Sequence, residues 1–347
     1  MRRAPATLVF AGGWHALAPT DCRCALRSSR YRQPSLVRLG AYIAGMQSDS
    51  HIVLGDNLDV LPRLESEAFQ LIYIDPPFNT GKAQTRRTLQ MVPDQDGDRT
   101  GFMGRRYKTR LLAESSYLDE FEDYLAFLDP RLQEARRLLA ASGTFYFHID
   151  YREAHYCKLL LDEIFGRECF LNEIIWAYDY GARSKRRWPA KHDTILVYVK
   201  DPAAYFYNAE AVDREPYMAP GLVTAEKAAK GKLPTDVWWH TIVPTNGREK
   251  TGYPTQKPEG IIRRMIQAST KPGDWCLDFF AGSGTVGAVA AALDRRYLLI
   301  DSNPEAIDVI RARLGNIEQA TSTPVNAGEA QLDYSSLGSS GQAVSLF

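Results

Sequence analysis

The chain has 347 residues, 45% of them hydrophobic, and a formal net charge of zero. These figures fit a globular enzyme of one large or two small domains, exclude a globally cationic nucleic-acid binder, and leave no run of eighteen apolar residues to span a membrane. Five scattered cysteines without a C-x-x-C pair exclude a thiolate zinc site and a disulfide framework, and they read as reduced thiols of a cytoplasmic protein.

Residues 1–45 carry seven arginines against one acid, Asp21, and show no sustained periodicity; they read as an extension upstream of an alternative start at Met46, outside the fold. From there the pattern is regular. "HIVLG" (51–55) and "LIYID" (71–75) are short apolar strands around an amphipathic helix. Residues 79–116 are polar, rich in Gly, Arg and Asp, and too long for an idle connection. "YLDEFEDYLAFLDPRLQEARRLLAAS" has helical spacing, bent or interrupted at Pro130. "GTFYFHID" is a strand, "YREAHYCKLLLDEIFG" a helix ending at Gly166, and "FLNEIIWAYD" and "DTILVYVKD" are strands joined by a basic loop. Residues 202–250 are irregular and aromatic. A helix from Pro258, the strand "WCLDFFA", a glycine turn, another helix, the strand "YLLID" (297–301) and the helix "PEAIDVIRARLG" follow, before a Ser/Gly/Ala-rich tail from about Asn316 that reads as disordered. Strands alternating with helices predict an α/β fold with a mainly parallel sheet.

The turn "CLDFFAGSGTVG" (276–287) has Gly282, Gly284 and Gly287 in G-x-G-x-x-G spacing. Glycines allow close backbone approach and a helix N-terminus offers free N–H groups, which serve a pyrophosphate or the methionine carboxylate of S-adenosylmethionine equally well. Asp301, ending the next strand, is placed for ribose hydroxyls. On the turn alone a nicotinamide dehydrogenase remains an alternative. The position of the turn argues otherwise: a dinucleotide domain needs four more strands after the second, and only a tail remains. The sheet is therefore read in permuted order, with its first two strands encoded last. Asp56 then falls beside the adenine ring of the cofactor, and "LIYID" becomes the fourth strand, beside the first at the point where ligands bind.

That strand ends in "DPPFNTGK" (75–82). Two prolines stiffen the corner and remove two donors, so Asp75 and the Pro76 carbonyl present acceptors only. Two acceptors suit an exocyclic amine with two hydrogens, and holding both out of plane favours a pyramidal, nucleophilic nitrogen. Phe78 supplies a face for a base, worth about 1–3 kcal/mol. Attack on carbon-5 of cytosine is disfavoured, because no cysteine follows a proline.

Asp75-Pro76-Pro77-Phe78 ahead of a recognition region, with Asp278 to Thr285 after it, resembles the permuted β-group of amino-DNA methyltransferases over about residues 50–315. "TQKP" (255–258) resembles the segment that closes over the methionine end of the cofactor, with Lys257 near its carboxylate, and "LIDSNPEA" resembles the acidic second-strand motif. The resemblance implies a Rossmann-like, doubly wound seven-stranded sheet, S-adenosylmethionine as cofactor, frequent homodimers, and methylation of adenine N6, with cytosine N4 as the alternative. It implies a catalytic corner of Asp75, Pro76, Pro77 and Phe78. It also implies a cofactor set of Asp56, Asp75, Lys257, Asp278, Phe280, Gly282, Ser283, Gly284, Thr285, Asp301 and Asn303. Phe78 stands where tyrosine is frequent, keeping the ring and losing the hydroxyl.

A base in double-stranded DNA must be extruded to reach Asp75. Lys82, Arg86, Arg87, Arg105 and Arg106 in the first basic loop, and Arg183, Lys185, Arg186, Arg187 and Lys191 in the second, are the expected DNA contacts. The expected organisation is a catalytic half (46–201), a target-recognition region (202–250), a cofactor-binding half (251–315) and the tail (316–347). "DVWWH" (236–240) reads either as base contacts or as core. No metal is expected, since His148, Asp150 and His155 straddle a strand–helix junction. A cognate restriction endonuclease is a candidate partner.

Overall fold

The computed structural model describes residues 50–322 except 80–81, 94–95, 97–98, 101–105, 120–122, 182 and 245. The expected extension 1–45, Arg105 and residues 323–347 of the expected tail lie outside the described residues.

β1 (His51–Leu54) and β2 (Phe69–Ile74) flank a short helix, Asn57–Val60. β3 (Lys82–Pro93), β4 (Arg99–Thr100) and β5 (Arg106–Asp119) make a separate antiparallel sheet in the order β3-β5-β4. The helix Tyr124–Leu138 leads into β6 (Leu139–Ile149), and the helix Ala154–Phe165 leads to β7 (Phe170–Ala177) and β8 (His192–Val199). After β9 (Val237–Trp239) come the helix Glu259–Ser269, β10 (Trp275–Asp278), the helix Thr285–Ala292, β11 (Arg296–Asp301) and the helix Pro304–Ser322.

The main sheet has the order β1-β11-β10-β2-β6-β8-β7-β9. Neighbours from β1 to β6 are parallel, β8 is antiparallel to β6 and β7, and β9 is parallel to β7. The two strands encoded last, β10 and β11, thus lie between the two encoded first, which answers why the glycine turn comes so late. Side chains alternate across the sheet, as a doubly covered sheet requires. On β2, Ile72 and Ile74 join Phe145 and Phe147 of β6 in one core, closed by the helices Tyr124–Leu138 and Ala154–Phe165. Leu71 and Tyr73 join Tyr146 in the other, with Ile262 and Met265, Val286 and Val289, and Ile307 and Ile310 of the three C-terminal helices.

Four expectations need correction. The sheet has eight strands, not seven: β9 is the added edge strand, and at three residues it is too short to display a period. The 79–116 segment is largely an antiparallel ribbon, Lys82 pairing with Asp119 through to Pro93 with Tyr107; its sequence has little apolar alternation to reveal strands. The helix expected from Tyr117 begins at Tyr124, where the Asp123 carboxylate accepts from Ala126 N, and it runs through Pro130. The last helix passes Asn316 and reaches Ser322, through residues such as Glu318, Gln319 and Ala320 that favour helix.

Candidate active site

The sheet reverses its winding between β10 and β2, and their register (Cys276 with Leu71, Leu277 with Ile72) brings both carboxyl ends to one edge. There the proline corner and the glycine turn, expected from sequence to converge, line a single cavity of about 590 Å³. Tyr124 Oη donates to the Pro77 carbonyl at 2.6 Å, clamping the corner from the helix behind it.

The turn is held by its own carboxylates. Gly282 and Gly284 have φ of +50° and +71°, and Gly284 N donates to Ala281 O as the helix Thr285–Ala292 starts. Asp301 accepts from Gly282 N and from Asn303 N, both at 2.8 Å, so one side chain fixes the turn and the end of β11. Asp278 accepts from Phe280 N at 3.0 Å. Burial, reinforced by the nearby Asp75 and Asp301 charges, pushes the Asp278 carboxyl well above the usual carboxylate range. Burial raises Asp301 as well. Asp56 lies at the cavity edge, where it caps the helix Asn57–Val60 by accepting from Leu58 N at 2.9 Å. Phe280, Ser283, Thr285 and Asn303 also line the cavity.

Lys257 is where the two halves meet. Its Nζ is hydrogen-bonded to Asp75 Oδ2 and stands 4.9 Å from the centroid of the Phe78 ring. Its carbonyl accepts from Thr285 Oγ1 at 3.1 Å, tying it to the glycine turn. Asp75 Oδ1 is buried and has no hydrogen-bond partner among the described residues.

Phe78, Thr255 and Lys257 also border a second cavity of about 600 Å³. Its walls include Tyr151, Trp176, Tyr178, Arg183 and Arg187. Beneath Phe78 runs a buried polar chain that sequence reading missed. Tyr73 Oη lies 2.8 Å from His148 Nδ1, His148 Nε2 lies 3.2 Å from Asp193 Oδ2, and Tyr178 Oη donates to Asp193 Oδ1 at 3.0 Å. Burial opposes the Asp193 charge, but the hydrogen bonds and charges around it, His148 foremost, outweigh it and hold the carboxyl below the usual range. An ionised Asp193 only accepts, so Nε2 of His148 donates in that hydrogen bond. His148 therefore serves this chain, and Asp150 is engaged by Arg152.

Also missed were Asn57 and Arg131. Asn57 donates to Phe279 O at 3.0 Å and accepts from Arg131 Nε at 2.8 Å, bracing the cavity floor across the sheet. The signal was present: Leu128, Arg131, Leu132 and Ala135 share one helical stripe, and a cation on an apolar stripe marks a buried partner. Of the expected DNA contacts, Arg183, Lys185, Arg186 and Arg187 are exposed on the loop between β7 and β8, while Lys191 is partly buried at its base. Lys82, Arg86 and Arg87 fall on β3, and Arg106 is exposed at the start of β5. "DVWWH" divides: Trp238 is buried and donates to Thr235 O, whereas Trp239 is exposed.

A profile of the DNA methylase family, N6 and N4 enzymes together, matches residues 69–312. The chain is 31% identical to the DNA adenine methyltransferase YhdJ of Escherichia coli (strain K12) over 271 residues, covering 76% of this chain and 82% of that one. It is 29% identical to the type II methyltransferase M.HpaI of Haemophilus parainfluenzae over 266 residues, covering 77% and 74%. Among solved structures, the PvuII DNA methyltransferase (cytosine-N4-specific) superposes with a TM-score of 0.52 at 16% identity, covering 77% of this chain and 86% of that one. The profile match displaces the nicotinamide dehydrogenase alternative and makes S-adenosylmethionine the cofactor. This chain belongs to the amino-DNA methyltransferases, the DNA methylase family that modifies adenine N6 or cytosine N4.

Proposed function

We propose that the chain methylates the N6 amine of adenine in double-stranded DNA, at one recurrent sequence, with the target base extruded into the second cavity. The observation that carries this reading is the lone acceptor Asp75 Oδ1, buried in the wall of the first cavity and belonging to a carboxylate hydrogen-bonded through its other oxygen to Lys257, which borders both cavities. A buried acceptor without a partner is costly, and an amine donating to it and to the Pro76 carbonyl relieves that cost. The 31% identity to an enzyme described as a DNA adenine methyltransferase supports adenine. Cytosine N4 is the second reading, since the same acceptor pair suits that amine and the PvuII enzyme shares the fold.

The first cavity fits S-adenosylmethionine. A Cβ on Gly282 would come within 3.3 Å of the Tyr253 ring, so glycine keeps the cradle open. Asp301 has lone pairs beyond those given to Gly282 and Asn303 for ribose hydroxyls, and the ammonium of Lys257 lies within the cavity for the methionine carboxylate. When bound, the cofactor supplies an electrophilic sulfonium methyl. Asp75 and Pro76 hold the amine with its lone pair out of the ring plane, Pro77 stiffens the corner, Phe78 stacks the base, and Asp75 is the first acceptor for the proton the nitrogen sheds. The Tyr73–His148–Asp193 chain braces the floor under Phe78, whose ring centroid is 5.9 Å from that of His148. Asp56 and Phe280 border the adenine end, with Asp278, Ser283, Gly284 and Thr285 shaping the turn. DNA phosphates meet the two basic segments, residues 202–250 read the target, and the enzyme works in the cytoplasm. A homodimer and a cognate restriction endonuclease belong to the same reading.

Expression in a host lacking DNA methylation, followed by mapping of modified bases, tests this. N6-methyladenine at one recurrent sequence is expected. N4-methylcytosine there overturns the adenine assignment, and unmodified DNA overturns both.

A further inference from the structure

Trp188 is 95% exposed, an unusual placement for the side chain with the most apolar surface to hide. Its loop is nonetheless built. Tyr178 N donates to Lys191 O and Lys191 Nζ donates to Asp179 O, closing the base of the loop. Ser184 Oγ accepts from Arg186 N and Arg187 N at 3.1 and 3.2 Å, fixing the turn that leads into Trp188. Residues 181–192 contain five cations and no acid. Arg183, Arg187 and Pro189, on both sides of the tryptophan, border the second cavity.

We infer that Trp188 is the wedge that enters the DNA stack as the target base leaves it, an inference that rests on the methyltransferase reading above. Extrusion leaves a gap between the flanking base pairs and an orphaned partner base. An indole filling that gap restores stacking on whichever bases flank the site, since stacking is tolerant of sequence. Arg186 and Arg187 hold phosphates beside the gap, and the cavity that receives the base begins one residue away. The cations explain why the occupant is DNA and not an apolar protein surface. The tryptophans of the recognition region fit the task less well: Trp238 is core, and Trp239 sits on β9 with neither neighbour in the chain bordering the cavity, as both neighbours of Trp188 do. Trp188 is a positioning residue; the reaction's acceptors remain Asp75 and Pro76.

The test uses the full chain and two duplexes carrying the mapped site, one fully paired and one with an abasic residue opposite the target. Trp188→Ala is expected to lower kcat/KM about 10- to 100-fold on the paired duplex and less than about threefold on the abasic one, where the cost of opening is already met. Trp188→Phe should recover most of the loss. Equal losses on both duplexes, or no loss on the paired one, overturn the assignment. So does a changed oligomeric state in the alanine variant, which would give the indole to a second copy of the chain. Wild-type protein that modifies neither duplex overturns the methyltransferase reading itself, and the wedge with it.

Discussion

The first cavity takes its shape from the main chain: two positive-φ glycines, a helix start, and strand-end carboxylates that accept backbone N–H groups. The second is made by side chains, many of them aromatic or cationic, and the loop between β7 and β8 supplies one wall, with Tyr178, Tyr180, Arg183 and Arg187. Few residues satisfy the turn that shapes the first, whereas the second can be altered one side chain at a time. On the proposed function the first holds the cofactor and the second receives the base. Lys257 lines both cavities and is ion-paired with Asp75, which lines the first, so on the proposed function cofactor and base meet at that pair.

The sharpest break between the two is Asp75→Ala. Methyl transfer should fall about a thousandfold, while calorimetric affinity for S-adenosylmethionine changes no more than about tenfold, because the glycine turn and Asp301 remain although the partner of Lys257 is lost. Retained turnover would remove Asp75 from the chemistry. Next is the double variant Arg186→Ala, Arg187→Ala. DNA affinity at moderate salt should drop about tenfold for every sequence tried, and the slope of log affinity against log salt should become shallower by about 2. Cofactor affinity should not move, and a loss confined to the target sequence would make these arginines base readers instead of phosphate contacts. On the other side, Gly284→Ala should destabilise the chain by about 1–3 kcal/mol, since a Cβ there would sit 2.8 Å from Ile310 Cγ1 at a φ of +71°. A thermal melt checks it, and an unchanged midpoint would mean the turn is looser than its geometry.

The same division governs what could be read from the sequence. The permuted strand order was legible because glycine, proline and apolar runs mark backbone events locally: "CLDFFAGSGTVG" so late in the chain admits one arrangement of β10 and β11. The corner at Asp75 was legible because two prolines remove donors wherever they fold. Lys257 was placed by resemblance near the cofactor carboxylate, yet it contacts Asp75, a partner 182 positions away that no local pattern announces. The Tyr73–His148–Asp193 chain escaped for the same reason, as three polar residues on three strands look like isolated substitutions in apolar runs. Neither β9 nor the ribbon of β3 and β5 has a long apolar alternation, and their pairing is a tertiary fact.

The smallest effect concerns Asp278, the carboxylate buried deepest in the main-chain cavity. Burial first, then the charges of Asp75 and Asp301, raise its pKa above that of an unfolded aspartate, about 3.9. The folded chain therefore keeps this proton to higher pH than the unfolded chain. Its contribution to stability is full below the unfolded value and is lost as pH rises through the folded one. Asp278→Asn keeps the acceptor for Phe280 N and carries no charge at any pH. It adds an amide donor whose cost is the same at every pH, so the diagnostic is the slope and not the offset. The melting temperature of the variant minus that of the wild type should grow more favourable as pH rises from about 4 to about 8. A difference that is flat across that range would mean the wild-type charge is fully compensated by Lys257, the cation that also stands over Phe78.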